Sequence, residues 1–183
     1  AAFGKAMGNG MPISAVVGKK KFMNELEEIF FSTTFGGETL SIAAAIAVIK
    51  KLKSKPVIKT IWKKGKKLSS HLNKIIEDFN LTNVIKLNGL DPWKILEFND
   101  YKNIPKEYIK TFVIKEMLSQ GILVNSSHNI MYSLTDSAIK KILVAYKNTF
   151  SKLIIEIKSK KLIKNLNCPP IQPVFSIRDK KII

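Results

Sequence analysis

Arginine is almost absent from this sequence of 183 residues, although the chain is strongly basic. Arg178 is the only arginine, whereas the chain carries 31 basic and 14 acidic residues and a formal net charge of +17. Proteins that read base edges or clamp phosphates favour the guanidinium fork, which lysine cannot imitate. We interpret the charge as a lysine-rich, solvated surface and expect no nucleic-acid partner. The alternative, binding of nucleic acid through charge alone, would depend steeply on salt.

Cysteine and long apolar runs are also scarce. Cys168 is the only cysteine, so an internal disulfide is excluded, and no residues around it have metal-ligand spacing. No run approaches the roughly 20 apolar residues of a membrane span. We therefore expect a cytoplasmic protein without a metal site or membrane contact. The sequence starts without methionine, in what reads as a strand-to-loop transition, and we expect a fragment that lacks an N-terminal half.

The most informative stretch is a glycine-rich segment with one lysine. Lys5 lies between Gly4 and Gly8, and Pro12 leads into an apolar run at residues 13–17 that predicts a buried strand. Glycines let the backbone turn sharply and approach a bound group closely. We expect a lysine beside a buried strand to be poorly hydrated, which disfavours the ammonium form. A free amine is what a lysine needs to form an imine with an aldehyde.

A second stretch offers groups that bind an anion. Hydroxyl side chains at positions 32–34 precede Gly36 and Gly37, and a helix is predicted from about Thr39 to Leu52. That helix is apolar nearly all round, so we expect it to be buried. Hydroxyls, glycine amides and a helix N-terminus together favour an anion site. Taken singly, a lysine in a glycine-rich loop is also typical of a solvated loop. A Thr-Phe-Gly-Gly stretch before a helix is also typical of an ordinary helix cap.

In this order, the two stretches resemble the class III (ornithine-type) pyridoxal-phosphate aminotransferases. Within that class the chain is most similar to the glutamate-1-semialdehyde 2,1-aminomutase branch. The K-x-x-G-x-G-x-P loop of the family matches Lys5, Gly8, Gly10 and Pro12. Its T-[FY]-G-G motif matches Thr34, Phe35, Gly36 and Gly37.

The resemblance implies a cofactor, a set of site residues and an assembly. Pyridoxal 5'-phosphate (PLP) would form a Schiff base with Lys5, which would then act as general base and acid. Thr34, with Phe35 and Gly36, would bind the phosphate of the neighbouring subunit's cofactor, so a homodimer is implied. The other partners would be a small-molecule amino donor and acceptor.

The resemblance also implies a fold of the α/β class, that of the fold-type I PLP-dependent transferases. The chain would be a C-terminal fragment, comprising the end of the large cofactor domain and an α+β small domain with the order ββαββα. The predicted segments are the cofactor-domain piece 1–54, an interdomain helix 55–80, the small domain 81–167 and an extended tail 168–183. In the small domain we predict strands at 84–87, 93–98, 122–124 and 130–132, and helices at 105–121 and 136–150, the latter continuing toward 163.

Several alternatives stay open at this level. The strand predicted at 130–134 lacks the arginine that some branches use for an α-carboxylate, which favours the aminomutase-like branch. His128 is predicted on a polar loop, with a substrate contact as the alternative. The partner of the pyridinium nitrogen and the main phosphate loop would lie upstream of Ala1, so we expect this chain alone to be inactive. A non-catalytic relative that keeps the fold for dimerisation or interaction is the remaining alternative.

Overall fold

The computed structural model describes residues 1–30 and 32–172, and the chain divides into two compact units between Lys59 and Thr60. The finer division into four segments stays a prediction. Before α3 (Val57–Asp78) begins, the described residues of the first unit form two short strands, two turns of 3-10 helix and two α-helices. In chain order these are β1 (Ala2–Phe3), the 3-10 turn Lys5–Met7, β2 (Ala15–Val16), α1 (Lys20–Met23), the 3-10 turn Asn24–Glu27 and α2 (Thr39–Ser54).

The strand predicted at 13–17 is shorter than expected and is not buried. Only β2 forms, as an antiparallel pair with β1 in the register Ala2↔Val16 and Phe3↔Ala15. The side chain of Val16 is 56% exposed. The prediction of a buried strand is therefore wrong for this chain, because the described residues of the first unit leave this two-stranded ribbon uncovered.

The helix predicted from Thr39 is confirmed, but its predicted burial is wrong. Ser41 and Ala45 are its buried residues. A helix that is apolar nearly all round needs neighbours on every side, and the described residues of the first unit do not supply them. The large apolar side chains left exposed along α2 are Leu40, Ile42, Ile46, Ile49 and Leu52.

The second unit is an α+β domain with a hydrophobic core. The helix α3 (Val57–Asp78) leads into it from the last residues of the first unit. The remaining elements are β3 (Ile85–Leu90), β4 (Trp93–Phe98), α4 (Lys106–Ser119), β5 (Ser127–Asn129), α5 (Asp136–Ser159) and α6 (Leu162–Asn165). The three strands form an antiparallel sheet in the order β3-β4-β5. Side chains that form the centre of the core include Leu72, Ile85, Leu96, Ile109, Met117, Tyr146, Phe150 and Leu162.

Local sequence signals place most of these elements correctly. The apolar spacing of α3 buries Leu68, Leu72 and Ile76, as the helical period predicts. Pro105 is the N-cap residue of α4, and Gly121 after its end has φ +77°, a conformation natural to glycine. The side chain of Thr135 caps α5 by accepting a hydrogen bond from the Ala138 amide at 3.1 Å.

The strand pattern after α4 differs from the prediction. Residues 122–124 and 130–132 form no strand, and β5 lies instead at Ser127–Asn129, where a loop was expected. From β3 to α6 the order is therefore ββαβαα, whereas ββαββα was predicted. The strands were predicted from apolar content, which β5 lacks. Its backbone pairs with that of β4, where Lys94 lies opposite His128. The part of the predicted tail at 173–183 lies outside the described residues.

His128 is buried against Tyr146, and this pair anchors β5 to α5. Nε2 of His128 lies 2.7 Å from the Tyr146 hydroxyl, and the ring centroids are 5.5 Å apart. Desolvation lowers the pKa of His128 from 6.5 to about 4, and a weaker interaction with the Lys94 backbone opposes it. Burial also raises the pKa of Tyr146. The phenol is therefore protonated and the imidazole neutral, and a hydrogen bond joins the two groups.

The helix α3 approaches the β3–β4 hairpin closely at Gly65. The carboxylate of Asp91 in the hairpin turn accepts a hydrogen bond from Ser69 at 3.2 Å and pairs with Lys94 at 3.4 Å. A methyl group on Gly65 would lie 2.1 Å from the backbone carbonyl oxygen of Asp91. Any side chain at position 65 must therefore push the hairpin away from the helix.

We expect Gly65→Ala to lower the free energy of unfolding by about 3 kcal/mol, as overpacking against backbone does. Glycine-to-alanine changes inside helices are otherwise stabilising by about 1 kcal/mol, so the sign itself is diagnostic. Denaturant unfolding measures this change in the free energy of unfolding. The control is Lys66→Ala, at the exposed neighbouring position. A variant as stable as the parent would contradict the close approach.

We expect the protein to lose stability as the pH falls from 6.5 to 4. Because the pKa of His128 is lower in the folded state, the unfolded state takes up the proton first, at a cost of about 3 kcal/mol when complete. The imidazole resonances of His128, followed by NMR in a His71→Ala background, should titrate near pH 4. A midpoint near 6.5 would contradict the buried, neutral imidazole.

Candidate functional site

Lys5 occupies a tight turn with an uncommon backbone conformation. It begins the 3-10 turn Lys5–Met7 with φ +48°, in the left-handed region that non-glycine residues rarely adopt. The amide of Met7 donates to the Gly4 carbonyl oxygen at 3.1 Å, and the amide of Gly8 donates to that of Lys5 at 3.2 Å. Residues held in such conformations cluster at functional sites, where the surrounding structure determines them.

The loop that follows closes on itself and borders an open cleft. Gly8 is buried, and a Cβ atom there would lie 2.5 Å from Ile13 Cγ2 and 2.6 Å from the Met11 carbonyl oxygen. Glycine is therefore required at position 8 for this loop to fold. The cleft has a volume of about 470 Å³ and is lined by Lys5, Ala6, Asn9, Gly10, Met11, Pro12 and Ile13.

The predicted desolvation of Lys5 is not found. The side chain of Lys5 is exposed on the rim of the cleft, and β2, which was expected to bury it, is itself exposed. The chain therefore fixes the backbone of Lys5 and leaves its amine accessible to solvent.

The second predicted motif forms an exposed turn directly before α2. Residues 34–37 are all exposed, with Phe35 at 58%. The amide of Gly36 donates to the Thr33 carbonyl oxygen at 3.2 Å, and Thr34 is exposed in this turn. Cα atoms of α2 and of the Lys5 turn lie within 8 Å of each other. The structure thus brings the helix of one motif beside the turn of the other.

The expected anion site at the start of α2 is filled by a carboxylate of the chain itself. Glu38 is the N-cap residue, and its carboxylate accepts hydrogen bonds from the amides of Leu40 at 2.8 Å and Ser41 at 2.6 Å. Those amides are therefore taken, and the prediction that the helix N-terminus helps to bind an anion is wrong. Sequence reasoning missed Glu38, although an acidic residue just before a helix is a recognisable capping signal.

The remaining groups fit the cofactor that the sequence implies. PLP needs a primary amine for its aldehyde and hydrogen-bond donors for its phosphate. Lys5 offers an accessible amine beside a cleft that its own loop shapes, and Thr34 offers an accessible hydroxyl. Lys5 would hold the aldehyde end and Thr34 would hold a phosphate.

The other candidate residues lie elsewhere. His128 is in the second unit, buried against Tyr146, so the polar-loop interpretation is wrong. Within residues 1–30 and 32–172, no three histidine, cysteine, aspartate or glutamate side chains are grouped to hold a metal ion. Across the same residues, the helices are too short or too polar to cross a bilayer.

Comparison with known sequences identifies relatives of the larger part of the chain. Residues 1–150 match the family model of class-III aminotransferases. The chain is 32% identical over 137 residues to an acetylornithine/succinyldiaminopimelate aminotransferase of Buchnera aphidicola, which covers 75% of this chain and 32% of that protein. It is 30% identical over 160 residues to a glutamate-1-semialdehyde 2,1-aminomutase of Clostridium botulinum, covering 79% and 37%. The chain therefore spans about a third of the length of these relatives.

Comparison with solved structures gives the same fold. The FumI protein of Sphingopyxis sp. MTA144, solved in its PLP internal aldimine form, superposes with a TM-score of 0.75 at 23% identity, over 86% of this chain and 37% of that one. The fold is that of a fold-type I PLP-dependent transaminase, as the sequence predicts. Because the family model of class-III aminotransferases matches residues 1–150, this chain belongs to that family.

Proposed function

We propose that this chain supplies the lysine-bearing part of an enzyme that transfers amino groups with PLP. The observation that carries the proposal is the Lys5 turn, in which a lysine in a left-handed conformation borders a cleft. Family membership supports it, since the relatives carry the names of aminotransferases and aminomutases.

In this proposal Lys5 has two roles. Its Nζ would hold the cofactor covalently, and the same amine, once released, would move a proton between the substrate carbon and the cofactor carbon that had carried the aldehyde. When bound, PLP supplies the electron sink for the negative charge that develops at that carbon. An exposed amine on a rigid backbone turn can carry out both roles, because its long side chain is mobile while its attachment point is fixed.

Thr34 would hold a phosphate through its hydroxyl. We propose that the cofactor in question belongs to a second subunit, in a cytoplasmic homodimer, with small-molecule amino compounds as donor and acceptor. The exposure of the whole turn 34–37 supports this, because a turn that projects from its own unit is free to contact another subunit.

The choice between intermolecular transfer and an aminomutase reaction stays open in the proposal. Relatives of both kinds are about 30% identical to the chain. The missing arginine at 130–134 favours the aminomutase-like branch. The argument from the missing arginine assumed a strand at 130–134, however, and the structure has β5 at Ser127–Asn129 instead.

We also propose that the chain is inactive by itself. Among the described residues of the first unit, Ala45 and Val57 are the buried apolar side chains. A unit with so little core depends on further polypeptide for its stability, and here it carries the predicted site. A second candidate function is that of a non-catalytic relative that serves association. The apolar side chains exposed along α2 favour it.

Replacing Lys5 separates these two candidates. We expect Lys5→Ala in the complete protein to abolish the covalent cofactor and to lower amino-transfer activity by at least about 10³-fold. The matched control is Lys20→Ala, an exposed lysine in the same unit, which should keep both. Covalent cofactor and full activity in Lys5→Ala would rule out the proposed role.

Replacing Thr34 tests the phosphate contact. We expect Thr34→Ala to raise the dissociation constant for PLP by about tenfold or more, as loss of a hydrogen bond to a charged group does. Thr33→Ala is the control, because Thr33 is an exposed neighbour whose backbone bond to Gly36 the substitution keeps. Equal affinities in the two variants would contradict the assignment.

A further inference from the structure

We propose that residues 125–130, hereafter the β5 latch, open locally from the second unit when His128 takes up a proton and close again when it is lost. The latch lies at an edge of the sheet, because the strand order is β3-β4-β5. Its strand is only three residues long, from Ser127 to Asn129. A short edge strand can leave its sheet while the core stays folded, because local openings need less free energy than global unfolding.

One side chain anchors the latch to the core. His128 is the buried residue of the latch, with 8% of its surface exposed, and the other residues of 125–130 are exposed or half-buried. Nε2 of His128 lies 2.7 Å from the hydroxyl of Tyr146 in α5. The contact between these two side chains therefore decides whether the latch stays against α5.

The backbone of the latch adds a few hydrogen bonds and some strain. The Leu96 amide donates to the Ser126 carbonyl oxygen at 2.7 Å, and the Ile130 amide donates to the Pro92 carbonyl oxygen at 3.0 Å. Ser126 has a left-handed φ of +56°, and its hydroxyl is buried without a hydrogen bond to any described residue. Opening would relax this residue and hydrate its hydroxyl, so these features favour an open state that costs little.

A second proton on the His128 ring has no good acceptor in the closed latch. Nδ1 is buried and makes no well-formed hydrogen bond with a described residue, its interaction with the Lys94 backbone being weak. In an imidazolium both ring nitrogens donate. Tyr146 can then only accept from Nε2, and the proton on Nδ1 is left buried without an acceptor, which destabilises the closed state.

The charged groups around the ring do not compensate for that proton. Lys94 lies opposite His128 in the ladder, so β4 presents a cation. The carboxylate of Asp91 in the hairpin turn already pairs with Lys94 at 3.4 Å and accepts a hydrogen bond from Ser69 at 3.2 Å. From α5 the ring meets Tyr146, whose phenol stays protonated because burial raises its pKa. The residues that α3 and β3 contribute beside His128 do not titrate; they are Gly65, Leu68, Ser69, Leu72 and Leu87.

The opening equilibrium therefore depends on pH. Desolvation lowers the pKa of His128 to about 4 in the closed latch, whereas an exposed histidine titrates near 6.5. The open state thus binds the proton more tightly, so the closed state is fully stabilised at neutral pH and loses stability as the pH falls from 6.5 toward 4. Between pH 6.5 and 4.5, these two values raise the opening constant about 40-fold.

Hydrogen exchange of the complete protein, resolved to single amides by mass spectrometry with fragmentation, measures the opening. The probes are the amides of Leu96 and Ile130, whose hydrogen bonds the opening breaks. The reference is the Asn99 amide, which donates to the Val84 carbonyl oxygen at 2.9 Å on the β3 side of β4. All rates are corrected for the intrinsic pH dependence of exchange.

We expect the opening constant at both probes to rise about 40-fold from pH 6.5 to pH 4.5 and to ignore low concentrations of urea, since a local opening exposes little surface. The reference amide should exchange more slowly and should respond to urea. Equal opening constants and equal urea dependence at probes and reference would mean that the latch opens only by global unfolding, which would overturn the proposal.

Two variants and a control assign the proton. We expect His128→Gln, which cannot titrate, to have the same opening constant at both pH values. Tyr146→Phe should open about tenfold more at pH 6.5, as loss of a hydrogen bond does. The control His71→Ala removes an exposed histidine and should keep the 40-fold change.

A pH dependence that persists in His128→Gln, or disappears in His71→Ala, would assign the proton to another group and overturn the proposal. If His128→Gln does not fold, an opening constant in Tyr146→Phe equal to that of the parent would still overturn it.

Discussion

The account depends on the backbone constraint at the start of the chain, where a lysine is held in a conformation that most residues avoid. Left-handed φ angles at Lys5 and Asn9, and the close contact of Gly8 with Ile13, define one folded loop. Such a loop costs conformational energy, of order 1–3 kcal/mol for each unusual residue. Lys102 and Lys160 also have left-handed φ angles, the latter at the end of α5. What distinguishes Lys5 is that its turn also borders the cleft.

The two units differ in how they obtain their stability. The second unit buries a continuous core, inside which His128 contacts Tyr146. The first unit exposes large apolar side chains along α2 and at Phe30, which is 96% exposed. The predicted site therefore lies in the part of the chain with the least core of its own. This agrees with a chain that spans about a third of the length of its relatives.

Sequence reasoning succeeded where local chemistry decides the structure. Pro105, Gly121 and Thr135 mark helix ends through backbone and capping effects that do not depend on distant residues, and the β3–β4 hairpin follows from its turn. It failed at β5, because a polar strand is specified by its ladder and by a histidine that pairs inside the core. It also failed on the burial of α2, since hydrophobicity shows what a helix would bury and not what covers it. At the candidate site, motif matching predicts roles for Lys5 and Thr34, but it overlooked the carboxylate at position 38, which caps α2.

The most direct measurement is reduction of the cofactor-loaded complete protein with borohydride, followed by digestion and mass spectrometry of the peptides. Reduction makes the bond between a lysine amine and the cofactor permanent, so the modified peptide identifies the lysine. The account predicts one pyridoxyl group, on the peptide that contains Lys5. A pyridoxyl group on any other lysine, with Lys5 unmodified, would contradict it.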